Sequence, residues 1–371
     1  MMFKKKSKFK IARENAEEAI NRTNKRIEDL GEQTKELYDA LARIQEMFDK
    51  IRNVPSDKMI QYQELKEIRL TWKQQAKEIE NDCKKADIKN AGGGAAGVAA
   101  GVGVIAMGPT VAMGVATTFG VASTGTAISS LSGAAATNAA LAWLGGGALA
   151  AGGGGMAAGE GLLALAGPIG WAIAGAAILT SGLLFWKNRK EKQKLESIFT
   201  TISERDVKSY ELSIVELSER IDRIIDERGK LKEAIMKIES FGKDYNSMTE
   251  AQQYELGAYV NLMNSSTQLL VNPINGLLPK YSDDDFEDYK NWKKKKIDQS
   301  LCEECEGPII AFANLLYKIK LDDNDKKLLF KCFKKNKKML KELKISKKEM
   351  KIEIMDAVYE ALDYQQMIAQ N

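Results

Sequence analysis

The chain has 371 residues, with 55 Lys and Arg against 51 Asp and Glu and a formal net charge of +4, so charge alone dictates neither an acidic nor a basic partner. It contains no histidine. That absence excludes Ser-His-Asp and Cys-His catalysis, histidine-based zinc sites and haem ligation by histidine.

The first residues, Met1 to Lys6, are basic but lead into no apolar stretch and no small-residue cleavage site. This is not the pattern of a secretory signal peptide, and the chain is expected in the cytoplasm. Its Lys- and Ile-rich composition suggests an AT-rich bacterial source.

Residues 8–53 carry coiled-coil spacing. Ile20, Thr23, Ile27, Leu30, Thr34, Leu37, Leu41, Ile44, Phe48 and Ile51 fall alternately three and four apart, which sets one narrow stripe against a partner helix. Pro55 ends that helix and Ser56-Asp57 can cap a second. There Leu65, Ile68, Trp72 and Ile79 keep a similar stripe to about Lys89. Two helices joined at Pro55 predict an antiparallel hairpin as the simplest arrangement, with one kinked rod as the alternative.

Residues 91–186 break with this pattern. They hold a single charged side chain, Glu160, and 24 of the chain's 30 glycines. Lipid or a protein shell is needed to tolerate so long an uncharged stretch. Residues 167–186 are the most suitable to cross a bilayer. They are uncharged, carry Trp171 and Trp186 as interface anchors, and are followed at once by Lys187, Arg189 and Lys190. Residues 95–123 are long enough but are interrupted at Gly108-Pro109. Residues 127–166 contain glycine runs that cost about 1 kcal/mol per residue relative to Ala in a helix, and these suit turns or hinges.

Basic residues flank both ends, so the positive-inside rule keeps both flanks cytoplasmic and makes the number of crossings even, two or four. Gly97 and Gly101 are four apart, as are Gly155 and Gly159. On a helix this spacing makes a smooth face that lets a second backbone approach closely in lipid. Glu160 either faces a pore or sits in a loop, and its neighbours Gly159 and Gly161 favour the loop. The alternative is a small-residue bundle shielded within a water-soluble fold, but the moderate hydrophobicity of the stretch suggests a segment sheltered in water and inserted into lipid after a trigger.

The charged frame then resumes. Val207, Tyr210, Ile214, Leu217, Ile221, Ile224, Arg228, Leu231, Ile235 and Ile238 form the cleanest heptad run in the chain. Ser247 to Glu250 has the form of a capping box opening a helix to about Val271, and Pro273 and Pro279 mark a break. Shorter helices are predicted near 283–300, 308–320, 323–344 and 346–369, with Ser346 to Glu349 as another capping box. From Lys326 to Lys351 there are 12 lysines against two glutamates, interleaved with Leu328, Leu329, Phe330, Phe333, Leu340 and Leu343. Such a segment suits anionic lipid head groups or an acidic partner, or else is a core-packed helix with a solvated face. It carries no nucleic-acid reading motif, and no nucleic-acid partner is expected.

Cys302 and Cys305 make one CxxC, but a second is absent and the flanks are acidic, so reduced thiols are the simpler reading. No GxxxxGK[ST] occurs and no strand precedes a GxGxxG-like run, so no nucleotide, cofactor or metal is expected. The acidic run Asp283 to Asp285 fits the first turn of a helix. An enzyme is not expected.

The organisation is therefore all-α. It comprises coiled-coil helices over 1–90, a glycine-rich apolar region over 91–186, further coiled-coil helices over 187–272, and a lysine-rich helical region over 273–371. The expected fold is a long antiparallel coiled-coil bundle with an apolar hairpin or small bundle inserted at one end.

The layout over residues 8–246, long coiled helices bracketing a Gly/Ala-rich apolar insert with AGGG and GPIGW runs, resembles α-helical pore-forming toxins of the cytolysin A and haemolysin BL type. That resemblance implies a sheltered apolar hairpin that swings out, inserts and oligomerises into a pore. The chain departs from these toxins in lacking a secretion signal and in having an insert about twice the size of a simple hairpin. The form this leaves is an effector that acts from the bacterial cytoplasm on the inner membrane, as an intracellular toxin or in defence against phage. Its partners would be the lipid bilayer, copies of itself and a protein held by the coiled coils. The alternative is a membrane-anchored coiled-coil scaffold without pore activity.

Overall fold

The computed structural model describes residues 7–56, 59–70, 72–73, 188–272, 274–277, 280–337, 340 and 345–370. Among them the regular structure is helical and no strand is formed; one isolated bridge joins Arg52 to Asp244. The helices are α1 (Lys8–Asp49), α2 (59–70), α3 (Arg189–Ser240), α4 (Glu250–Val271), α5 (Asp283–Lys290), α6 (Gln299–Glu304), α7 (Glu306–Leu316), α8 (Asp323–Lys335) and α9 (Glu353–Ile368).

Local chemistry sets where they start and stop. The Ser7 hydroxyl accepts the Lys10 N–H and caps α1, and the Asn188 side chain accepts the N–H groups of Lys190 and Glu191 and caps α3. Gly242, at φ 86°, takes the left-handed turn just beyond α3. The capping box of α4 lies two residues later than the sequence suggests: Thr249 and Gln252 satisfy one another's backbone N–H. Ser247 cannot cap, because it ends a short 3-10 turn and its hydroxyl donates to the Asp244 carbonyl at 2.8 Å. Ser346 and Glu349 do form their reciprocal pair, yet they close a turn, and the last helix begins only at Glu353. The stretch predicted over 283–300 is two helices, parted by a lysine-rich loop at 291–298.

Each long helix folds back on itself through a second. In the first hairpin Trp72 stacks on Tyr38 at 5.9 Å, Arg69 reaches Gln45, and Lys66 pairs with Asp49 at 3.1 Å. In the second, Glu227 accepts from Ser265 and Ser266, Arg220 donates to the Leu269 and Asn272 carbonyls, and Glu216 accepts the Asn275 and Gly276 N–H groups. Both hairpins are therefore antiparallel.

Between hairpins the sense differs. Arg22–Glu211, Gln33–Arg228, Glu36–Arg228 and Asn53–Asp244 are separated by 189, 195, 192 and 191 residues, a near-constant offset that makes α1 and α3 parallel. The tips of the hairpins meet: the Arg52 N–H donates to the Lys243 carbonyl at 2.9 Å and the Tyr245 N–H donates to the Arg52 carbonyl at 3.0 Å.

Two cores result. The first is filled by α1, residues from 62 to 72, most of α3, and α4, with Ile27, Leu30, Leu37, Leu217, Ile224 and Leu231 fully enclosed. The second holds Leu195, Ile198, Phe199 and Ile202 from the first turns of α3 among the helices after residue 280. Phe312 and Phe333 stack at its centre with ring centroids 4.7 Å apart. Enclosing each such side chain contributes about 1.5–3 kcal/mol, so α3 is fastened along its length by two separate apolar clusters.

Candidate functional site

Of the residues singled out for membrane contact, Gly97, Gly101, Gly155, Gly159, Glu160, Trp171, Trp186 and Lys187 lie outside the described residues. Arg189 and Lys190 are described. They are the first two residues of α3, both exposed to solvent. Among the described residues no helix is long and apolar enough to cross a membrane.

What the described residues supply is the frame. Helix α2 runs antiparallel to α1 and so heads toward the end of the bundle at which α1 begins. Helix α3, parallel to α1, starts at that same end. The chain thus approaches residue 74 and resumes at residue 188 facing one end of the rod, opposite to the joined tips. The second core is built around this end, and Phe9 of α1 packs against it.

Where α3 passes from one core to the other, its seam turns polar. Asp206 is almost wholly buried; its Oδ1 accepts from Arg205 Nε at 2.9 Å and Nη2 at 2.7 Å. Arg205 Nη1 donates in turn to the Leu315 and Tyr317 carbonyls at 2.8 and 2.6 Å, where the last turn of α7 leaves acceptors unused. Asn314 completes the junction. Its Oδ1 accepts the N–H groups of Lys280 and Tyr281, and its Nδ2 donates to the Tyr281 and Ile310 carbonyls.

Two polar atoms there have no hydrogen-bond partner, Asp206 Oδ2 and the Tyr210 hydroxyl. Burial pushes the Asp206 carboxyl up to about 6, against the opposing pull of Arg205 and, more weakly, Lys280. Burial also lowers the Lys280 ammonium, with repulsion from Arg205 acting in the same direction. The cluster joins α3 to α7 and to the segment at 280–281 by charge and hydrogen bonds rather than by apolar packing.

The heptad run through Val207 and Tyr210 does not include Asp206, so the apolar seam alone does not reveal this cluster. The spacing marks it: Asp206 lies four residues before Tyr210 and seven before Ser213, so a carboxylate shares a buried stripe of α3. In α1 the expected stripe from Thr23 to Ile51 is buried at each of its positions, and the Thr23 hydroxyl satisfies itself on the Ala19 carbonyl at 2.8 Å. Ile20 has no described side chain.

Cys302 and Cys305 are buried and free, as is Cys332. Burial raises all three thiols, Cys332 to about 12, which disfavours the thiolate needed for metal binding or redox exchange. Among the described residues no group of three or more potential ligands could hold a metal ion. In the lysine-rich segment Leu328, Leu329, Phe333 and Leu340 are buried in the second core, while Lys327, Lys331, Lys335 and Lys337 are exposed. The apolar side is therefore occupied by the protein's own helices.

Comparison with family models finds no match, and comparisons with curated proteins and with solved structures likewise find none.

Proposed function

We propose that the chain is a membrane-active helical protein that inserts its glycine-rich region, residues 91–186, into a bilayer and permeabilises it as an oligomer. One observation carries this reading: 96 consecutive residues with a single charge, Glu160, set inside a frame rich in Lys, Glu, Asp and Arg. The frame supports it, because α2 heads toward, and α3 begins at, the same end of the rod, as an insert carried at one end requires. Close packing falls to Gly97, Gly101, Gly155 and Gly159, and interface anchoring to Trp171, Trp186, Lys187, Arg189 and Lys190.

No bond is made or broken in such a mechanism. The driving force is apolar surface moved from water into hydrocarbon, at about 25 cal/mol per Å². The site of action is the bacterial inner membrane, reached from the cytoplasm, and the role is that of an intracellular toxin or an effector of defence against phage. Coiled-coil toxins of the cytolysin A and haemolysin BL type remain the architectural parallel.

The test is dye release from anionic liposomes by the purified full-length chain. Release is expected, and replacing Gly97 and Gly101 together by Leu should reduce it strongly. Binding without release would leave a coiled-coil scaffold anchored by the same region, and the absence of any binding would remove the membrane from the account.

A further inference from the structure

A few contacts fix where the lysines of α8 stand. Lys194 of α3 pairs with Asp325 at 3.2 Å, and the next residue, Lys326, lies 4.3 Å over the Tyr359 ring of α9. Further along α9, Gln365 donates to the Lys280 carbonyl at 3.0 Å, beside Asn314 and the carbonyls that hold Arg205. Helix α9 therefore passes from the level of Lys194 to that of Arg205, in the same sense as α3. Helix α8 runs the other way: Lys326 meets Tyr359, while Lys334 donates to the Met350 carbonyl at 2.8 Å, just before α9 begins. It thus heads from Lys194 toward the end of the rod at which α1 and α3 start, and the turn at 345–351 lies there with it.

That end is basic. Lys331, Lys337, Lys347 and Lys348 are exposed and in no ion pair among the described residues. Lys327, Lys331 and Lys335 follow at four-residue steps along one helix, a spacing at which like charges repel. Lys8 and Lys10 of α1 and Arg189 and Lys190 of α3 are exposed at the same end. Carboxylates are the minority. Glu349 accepts the Ser346 N–H at 2.6 Å, and Asp322, Asp323, Glu303, Glu304 and Glu353 are the exposed ones on the adjoining elements, against the 12 lysines of 326–351 alone. Because the apolar side of α8 is buried in the second core, these lysines meet a partner as surface charges and not by inserting. The polyanion that fits is a lipid surface, since the chain leaves for the uncharged stretch 91–186, and returns from it, at this end.

We propose that the lysine face of α8 and the turn after it dock this end of the rod on an anionic lipid surface. The choice of a bilayer over another polyanion rests on the insertion read from residues 91–186, so docking and insertion are measured apart. The full-length chain is floated with vesicles of phosphatidylcholine alone or mixed with phosphatidylglycerol, and dye release is recorded per bound protein. Binding to the mixed vesicles should be about 100-fold stronger and should weaken with added salt. Replacing four lysines at once, Lys331→Gln, Lys337→Gln, Lys347→Gln and Lys348→Gln, should remove most of that preference, since each lysine near such a surface contributes about fivefold. Helical circular dichroism and release per bound protein should not change. Equal binding to both vesicles, or a quadruple variant that binds as the wild type does, overturns the docking, and dye release in either case leaves the insertion standing. Lysine-dependent binding without release keeps the docking and removes the insertion. No binding to the mixed vesicles overturns the docking, and retention on duplex DNA in that case gives the face to nucleic acid.

Discussion

Asp206 is held in the structure at a cost, and the sign of that cost is open to measurement. Its carboxyl sits near 6 in the folded chain against 3.8 for the ordinary group, because one of its oxygens is buried without a partner. Below about pH 4 the group is protonated in both the folded and unfolded states and costs nothing; as pH rises through about 6 the folded state must carry a buried charge. Stability contributed at this position is therefore present in acid and lost toward neutrality, by an amount on the order of 3 kcal/mol. Asp206→Asn should flatten that slope in urea unfolding between about pH 4 and pH 7. An unchanged slope would mean that Arg205 compensates the charge fully. Single residues of this kind were hard to read in the sequence, where Asp206 is one acidic residue among 51 and only its place on the buried stripe distinguishes it. Gly276 is similar: a Cβ there would stand 2.6 Å from Ser213 Oγ, a proximity of residues 63 apart that no local pattern encodes.

Elements were far more legible than residues, because helices announce themselves through spacing. The stripe from Thr23 to Ile51 and the ends of α1 and α4 follow from three-four alternation, capping side chains and proline. Errors arose where two residues compete for one role. Thr249, not Ser247, caps α4, so Thr249→Ala should lower stability by about 1 kcal/mol in thermal unfolding, while Ser247→Ala should cost less. Equal losses would contradict the assignment. The lysine-rich segment shows a different limit. An amphipathic helix lying on a lipid surface and one lying on a protein core share a single pattern, so Leu328, Leu329 and Phe333 could be placed in the second core only by the fold. Chain direction was also hidden: the hairpins are antiparallel as short connections require, but no local pattern in α1 or α3 encodes that the two run parallel.

For the molecule as a whole, the fold class was readable and the arrangement of its two cores was not, since Leu195, Ile198, Phe199 and Ile202 look like one more stretch of coiled-coil seam. They belong instead to the helices after residue 280. A chain ended at residue 272 should consequently expose these four side chains and aggregate during purification; a soluble, monodisperse product of full helical content would show that α3 does not need that second core. The joined tips have a mechanical corollary. Because Arg52 is riveted to Lys243 and Tyr245 through the main chain, a force that pries the hairpins apart works like the handles of shears. Parting them therefore also means breaking the core that α1 and α3 share and, toward Arg189, the packing of Phe9 on the second core.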